Sequence, residues 1–164
     1  MGYPQIVPGK RTTPRSRGLD VPGGAATLSA TTGKGPQVTD WLPLRFRDLD
    51  AFGHVYHAEY LTLLDEARTH WFAETGLDEP GAYVLAHLEM DWLSSLAEGD
   101  RAVRVDFDVE AVGTTSVTLR ESMLAQDGRE VARSRSVTVR WDRGRPGARA
   151  LTPAERSALE RHRR

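Results

Sequence analysis

The chain has 164 residues, 22 basic and 23 acidic side chains, five histidines and no cysteine, a length suited to one domain with one core. The missing cysteines exclude disulfides, thiolate zinc sites and a cysteine nucleophile, and no apolar run approaches the roughly 18 residues that a membrane-spanning helix needs. The near-neutral balance is the sum of two unlike parts, divided after Thr39.

The first 39 residues hold five of the nine prolines and seven of the fifteen glycines, with Lys10, Arg11, Arg15, Arg17 and Lys34 set against Asp20 alone. Such a segment buries too little apolar surface to offset its ordering entropy, so residues 1–39 are expected to be a disordered basic leader. It lacks the apolar h-region of a secretory signal, and with no cysteine in the chain a cytoplasmic location is expected. Residues 40–164 form the expected folded domain, with 17 basic side chains, all arginine, against 22 acidic ones. That balance leaves no basic stripe to displace counterions from phosphates and argues against a nucleic-acid partner.

Within the domain, Leu42, Leu44 and Phe46 alternate with Pro43, Arg45 and Arg47, the period of a strand, and Pro43 suits an edge position. Asp48–Gly53 reads as a turn-rich loop. From about His57, Tyr60, Leu61, Leu63, Leu64, Ala67, Trp71 and Phe72 recur at three- and four-residue steps, predicting an amphipathic helix that stops at Gly76. Tyr83–Leu93 is mostly apolar and is expected to be buried on both faces for part of its length. Gly99-Asp100 makes a turn. Val103, Val105, Phe107 and Val109 then alternate with Arg104, Asp106, Asp108 and Glu110 as a half-buried strand, and Val117, Leu119 and Met123 continue with the same period. Asp127-Gly128 signals a hairpin, and the last strand runs Val131–Trp141 with Val137, Val139 and Trp141 on one face. Thr152-Pro153-Ala154-Glu155 opens a short C-terminal helix.

One strand, one long helix and four strands joined by short turns imply an α+β layer, a single helix on an antiparallel sheet. The thin core predicts oligomerisation through the uncovered sheet or its edges.

Titratable residues crowd between the first strand and the helix. Asp50 lies near a helix N-terminus, whose unpaired N–H groups favour negative charge. It either caps the helix or holds a carboxylate beside an electrophile whose developing oxyanion the helix end stabilises. Asp50, His54 and His57 also have the spacing Asp-x3-His-x2-His, but no second ligand pair accompanies it, so no metal is expected. Glu66 lies near the boundary of the buried helix face, where an ion pair with Arg45 or Arg47 is its expected role. Glu89 and Asp91 either face solvent or line a pocket. No Gly-x-Ser-x-Gly elbow, phosphate loop or dinucleotide fingerprint is present.

Taken whole, the run Arg45-Phe-Arg-Asp-Leu-Asp50-Ala-Phe-Gly-His-Val-Tyr-His-Ala-Glu-Tyr60, continuing to Glu66-Ala-Arg68, resembles the signature of hotdog-fold acyl-CoA thioesterases of the 4-hydroxybenzoyl-CoA thioesterase type. The resemblance spans about Leu42 to Trp141. It implies a hotdog fold, one long helix wrapped by a five-stranded antiparallel sheet, assembled as a homodimer or homotetramer. It also implies hydrolysis of an acyl-CoA or acyl-carrier-protein thioester without a cofactor. Asp50 would be nucleophile or general base, and the backbone N–H near His57 would polarise the carbonyl, with Gly53, His54, Tyr56 and Glu66 at the substrate. Relatives often carry asparagines where this chain has Tyr56-His57, and a basic run where it has Gly113-Thr114-Thr115-Ser116. A hotdog hydratase or dehydratase, and a non-catalytic acyl-binding protein, are the competing readings.

Overall fold

The architecture is built on the alternation seen in the sequence. In this computed structural model, residues 37–77, 82–145 and 147–163 are described; the expected leader lies outside them except for its last three residues. Gln37–Val38 (β1) and Leu42–Pro43 (β2) both pair antiparallel with Ala102–Val112 (β4), Gln37 opposite Phe107 and Leu42 opposite Val103. They form one interrupted edge strand. The buried Thr39 bridges the interruption, its hydroxyl donating to the Val105 carbonyl (3.0 Å) and accepting from the Val105 N–H (3.2 Å). Strand pairing therefore reaches back to Gln37, three residues before Asp40.

Ser116–Ala125 (β5) pairs with β4, and Glu130–Asp142 (β6) pairs with β5. Tyr83–Trp92 (β3) lies against β6, at the far edge of the sheet. Gly147–Ala148 (β7) turns back on the end of β6. Counting β1 and β2 together, five antiparallel strands curl around the helix α1, His57–Glu74. This is the hotdog arrangement.

Helix α1 buries Tyr60, Leu63, Leu64, Ala67, Arg68, Trp71 and Phe72. They pack on the inward row Val103, Val105, Phe107 and Val109 of β4 and Val117, Leu119 and Met123 of β5. Trp71 stacks on Phe107 with ring centroids 5.1 Å apart. Gly76 takes φ +78° just past the helix, a left-handed turn open to a residue without Cβ. The C-terminal helix α2, Pro153–Glu160, buries Ala158 and Leu159 and is capped by Thr152 and Glu155. Beyond it, His162 sets its ring edge-on against Trp71, where burial lowers its pKa. No helix among the described residues is long and apolar enough to cross a membrane.

Two expectations are corrected. The first strand stops at Pro43; Phe46–Asp48 is a 3-10 turn, and Phe46 is 90% exposed. The buried Asp48 accepts from the Arg45 N–H (2.7 Å), so a side-chain bond displaces the strand ladder. Second, β3 is largely exposed rather than buried on both faces; it lies at the edge of the sheet, where among the described residues it pairs with β6 alone. Val137, Val139 and Trp141 share a face as expected, and it is the less buried face of β6. The inward row of β6 is polar: Ser134, Ser136, Thr138 and Arg140.

That polar row answers a charge on the helix. Buried Arg68 donates from Nε to Glu121 Oε1 at 2.6 Å, and Ser136 and Ser134 donate to the two Glu121 oxygens at 2.7 and 2.5 Å. A buried ion pair of this kind needs such extra donors to offset its desolvation.

Candidate functional site

Asp50 sits in a tight turn between the 3-10 segment and α1. Its N–H donates to the His54 carbonyl (2.7 Å), its carbonyl accepts from the Gly53 N–H (3.1 Å), and Leu49 bridges antiparallel to Val55. The reversal demands a left-handed residue, and Gly53 supplies it at φ +78°. The carboxylate closes the same turn: Oδ1 accepts from the Phe52 N–H at 2.8 Å and the His54 N–H at 3.1 Å. Those two bonds, first His54 and then Phe52, lower the Asp50 pKa below the usual carboxylate range. Both fall on Oδ1, which leaves Oδ2 without a protein donor among the described residues. Asp50 thus caps its own turn and not the helix.

Among the described residues no side chain caps the helix that follows. Tyr56 is the N-cap residue, its N–H held by the Asp48 carbonyl (2.9 Å), and it contributes no side-chain acceptor. The first-turn N–H groups at His57 and Ala58 therefore stay open, at the positive end of a helix of 18 residues. An anion, or an oxygen acquiring negative charge, is the natural occupant of that position.

Aromatic side chains rim this corner. His57 lies edge-on between Tyr56 (ring centroids 6.3 Å apart) and Trp92 of β3 (5.5 Å). Phe52, Tyr56, Trp92 and Leu93 are all exposed, Phe52 by 85%. Among the described residues no group of three His, Asp or Glu side chains is placed to hold a metal ion.

The structure gathers Asp50, Gly53 and His54 in one turn, with Tyr56 and His57 at the helix start beside it. It does not bring Glu66 there. Glu66 is nine residues up the helix from His57, roughly 13 Å along the axis, and accepts from Arg45 Nη2 at 3.1 Å, the ion pair expected of it. Glu89 and Asp91 line a cavity of about 380 Å³ on the outer face of the sheet, with Arg120, Arg133 and Arg135. Residues that the sequence reading passed over support the turn from behind. Tyr60, on α1, accepts the Leu96 N–H at 3.0 Å, and burial raises the pKa of its phenol. Asp100 and Arg129 fasten the loop that carries Leu96.

Comparison with known proteins gives the geometry a context. The profile of the thioesterase-like superfamily matches residues 44–159. The crystal structure of a thioesterase from Thermus thermophilus, complexed with coenzyme A and Zn, is 32% identical and covers 76% of this chain and 98% of that chain, with a TM-score of 0.67. Two more distant Staphylococcus aureus structures share the fold. A protein in complex with CoA is 14% identical (79% of this chain, 87% of that chain, TM-score 0.68). A DHNA-CoA thioesterase is 16% identical (75% of this chain, 89% of that chain, TM-score 0.65). Among curated proteins none matches the sequence.

Proposed function

Because the chain belongs to the thioesterase-like superfamily, we propose that it hydrolyses an acyl-CoA or acyl-carrier-protein thioester, with Asp50 as the reacting carboxylate. The observation that carries this reading is the pairing of a charged, turn-locked Asp50 with an uncapped helix N-terminus at His57. The thioester carbonyl oxygen sits at the open N–H groups of His57 and Ala58, which stabilise the charge that builds on it during attack. His57 contributes through its main chain.

Attack at the carbonyl carbon comes by one of two routes. Asp50 as general base takes a proton from water while the water oxygen bonds to carbon. Alternatively, the Asp50 carboxylate bonds to carbon itself, and water then cleaves the mixed anhydride. Either way the carbon–sulfur bond breaks with its electron pair on sulfur. Thiols ionise near ~8.5, so the thiolate leaves without a strong general acid and takes up a proton in solution. The lowered pKa of Asp50 keeps it ionised for both routes, and Gly53 leaves the backbone open to close approach by substrate.

The exposed edge of β3 supports assembly as a homodimer or homotetramer. Val84, Leu85, Trp92 and Leu93 are each 38–50% exposed along or just after this strand, and an unpaired apolar edge is a template for another chain. A second copy would cover the aromatic corner and complete the acyl pocket.

The test is a panel of aliphatic and aromatic acyl-CoAs, with release of free thiol followed colorimetrically, beside an enoyl-CoA assayed for hydration. Thiol release with at least one acyl-CoA and no hydration is expected. Hydration without hydrolysis would move the assignment to the hydratase reading, and mere binding would move it to an acyl carrier.

A further inference from the structure

The Asp50 turn lies at the surface, and two of the hydrogen bonds that hold it come from another loop. Ala51, Phe52 and His54 are exposed. Support comes from the segment that links β3 to β4. The Val55 N–H donates to the Leu96 carbonyl (2.9 Å), the Glu98 N–H donates to the Gly53 carbonyl (3.1 Å), and His54 bridges antiparallel to Ala97. Residues 53–55, including the amide of His54 that Asp50 Oδ1 accepts, are therefore laid against residues 96–98 like a third short strand.

Besides Tyr60, which accepts the Leu96 N–H, a side chain from the β5–β6 hairpin fastens that second loop. Arg129 Nη1 donates to the Ser94 hydroxyl (2.8 Å) and the Ser95 carbonyl (2.7 Å) at the loop's entry, and Nη2 donates to Asp100 Oδ1 (2.9 Å) at its exit. The other Asp100 oxygen accepts the Ala97 N–H (2.9 Å), next to the bridge to His54. Asp127 accepts from Arg129 Nε (3.2 Å) and fixes the guanidinium in the plane that makes this reach possible. Three acceptors at two ends of a loop match the rigid fork of arginine and exceed what a lysine ammonium can span from one point.

We infer that Arg129 is a positioning residue for Asp50, acting through Asp100 and the 94–98 segment to hold the turn on which the carboxylate's two N–H bonds depend. It touches no reacting atom. The titratable side chains that face Asp50 are His54 and His57. The assignment rests on the thioesterase reading for its kinetic consequence, though not for its structural one.

The experiment compares Arg129→Gln, Arg129→Lys and Asp100→Asn with the wild-type chain, using Arg133→Gln as a control on the same hairpin. Arg133 pairs with Glu130 and, among the described residues, makes no side-chain hydrogen bond to the loop. Hydrogen exchange is measured over residues 50–57, and kcat is measured against pH on the best acyl-CoA. Arg129→Gln is expected to speed exchange across residues 50–57 and to lower kcat on the order of tenfold, as small misplacements of a reacting group do. It should also move the acid limb of the kcat profile to higher pH, because loosened Phe52 and His54 amides no longer hold Asp50 down. Arg129→Lys and Asp100→Asn should fall between, and Arg133→Gln should match wild type. Simple loss of folded protein would scale the profile without moving its limb. Unchanged exchange in residues 50–57, or an unmoved acid limb, overturns the proposal. If Arg129→Gln does not fold, Arg129→Lys and Asp100→Asn decide it by the same two readings. A wild-type chain inactive on every thioester would sink the functional reading instead, while the exchange measurement still judges the link.

Discussion

Glu155 clamps helix α2 to the sheet, and its surroundings set how acid should loosen the fold. Its carboxylate accepts from Arg140 Nε (2.7 Å), from Arg149 Nη1 and Nη2 (2.9 and 2.7 Å) and from the Thr152 N–H (2.7 Å). Burial raises its pKa, but the donors from Arg149, Thr152 and Arg140 more than reverse that and push it from 4.5 down to about 2. A separation of about 2.5 pH units at 1.36 kcal/mol each corresponds to about 3 kcal/mol of native-state stability. Because the folded value lies below the unfolded one, that stability is fully present above about pH 4.5 and is lost as pH falls toward 2. By about pH 3 some 2 kcal/mol of it, roughly, has gone. The assay is denaturant unfolding of wild type and Glu155→Gln at about pH 6.5 and about pH 3, where every other shared group cancels in the difference. The stability gap between the two should narrow by about 2 kcal/mol on acidification. Parallel pH dependence of the two chains would show that Glu155 is not held ionised by those arginines, and would refute the argument.

Other predictions concern the core, the turn and the edge. Glu121→Ala removes the buried partner of Arg68 and leaves only the exposed Asp65, which accepts from its Nη1 at 2.6 Å; the change should cost about 3 kcal/mol in denaturant unfolding, with much of the loss recovered in the double variant Arg68→Met/Glu121→Leu. A Cβ on Gly53 would meet nothing within 4 Å, so Gly53→Ala should destabilise only through its left-handed backbone, by about 1–2 kcal/mol, and a larger fall in kcat/KM than in stability would place the residue at the substrate. Placing a charge on the free edge of β3, as in Leu85→Lys, should shift the chain toward monomer in light scattering while far-UV circular dichroism stays unchanged.

What the sequence disclosed and what it concealed follow from range. Alternation on β4 reads correctly because Val103, Val105, Phe107 and Val109 all face one apolar helix stripe, so the local period and the tertiary environment agree. On β6 they disagree. The apolar residues Val137, Val139 and Trp141 turn outward, and serines turn inward to meet Glu121 and, through it, Arg68 of α1, a partner set 53 residues away from Glu121. The end of β2 was hidden for a local reason. Asp48 reaches back to the Arg45 N–H and ends the ladder that the alternation of Leu44 and Phe46 would extend. For β3, an apolar run speaks for burial without saying whether the cover is this chain or another.

The candidate site divides in the same way. Asp50, Gly53, His54 and the helix start are contiguous in sequence, so their juxtaposition was legible from a turn followed by a helical period. The ion pair of Glu66 with Arg45 was legible too, from its place at the margin of the helix stripe. Arg129 was not. Its bonds reach residues 29 to 35 positions away, and nothing in the pattern around Asp127-Gly128 separates a turn arginine that clamps a loop from one that only meets water.

The most direct measurement is the turnover of Asp50→Asn on the best thioester found for the wild-type chain, with circular dichroism and oligomeric state recorded alongside. Asparagine keeps an Oδ1 that can accept the Phe52 and His54 amides, so the turn should survive while the charge and basicity are lost. The account predicts an intact, wild-type-like assembly with hydrolysis reduced by about a hundredfold or more, the scale at which removing a general base is felt. Near-full turnover in that variant would contradict it.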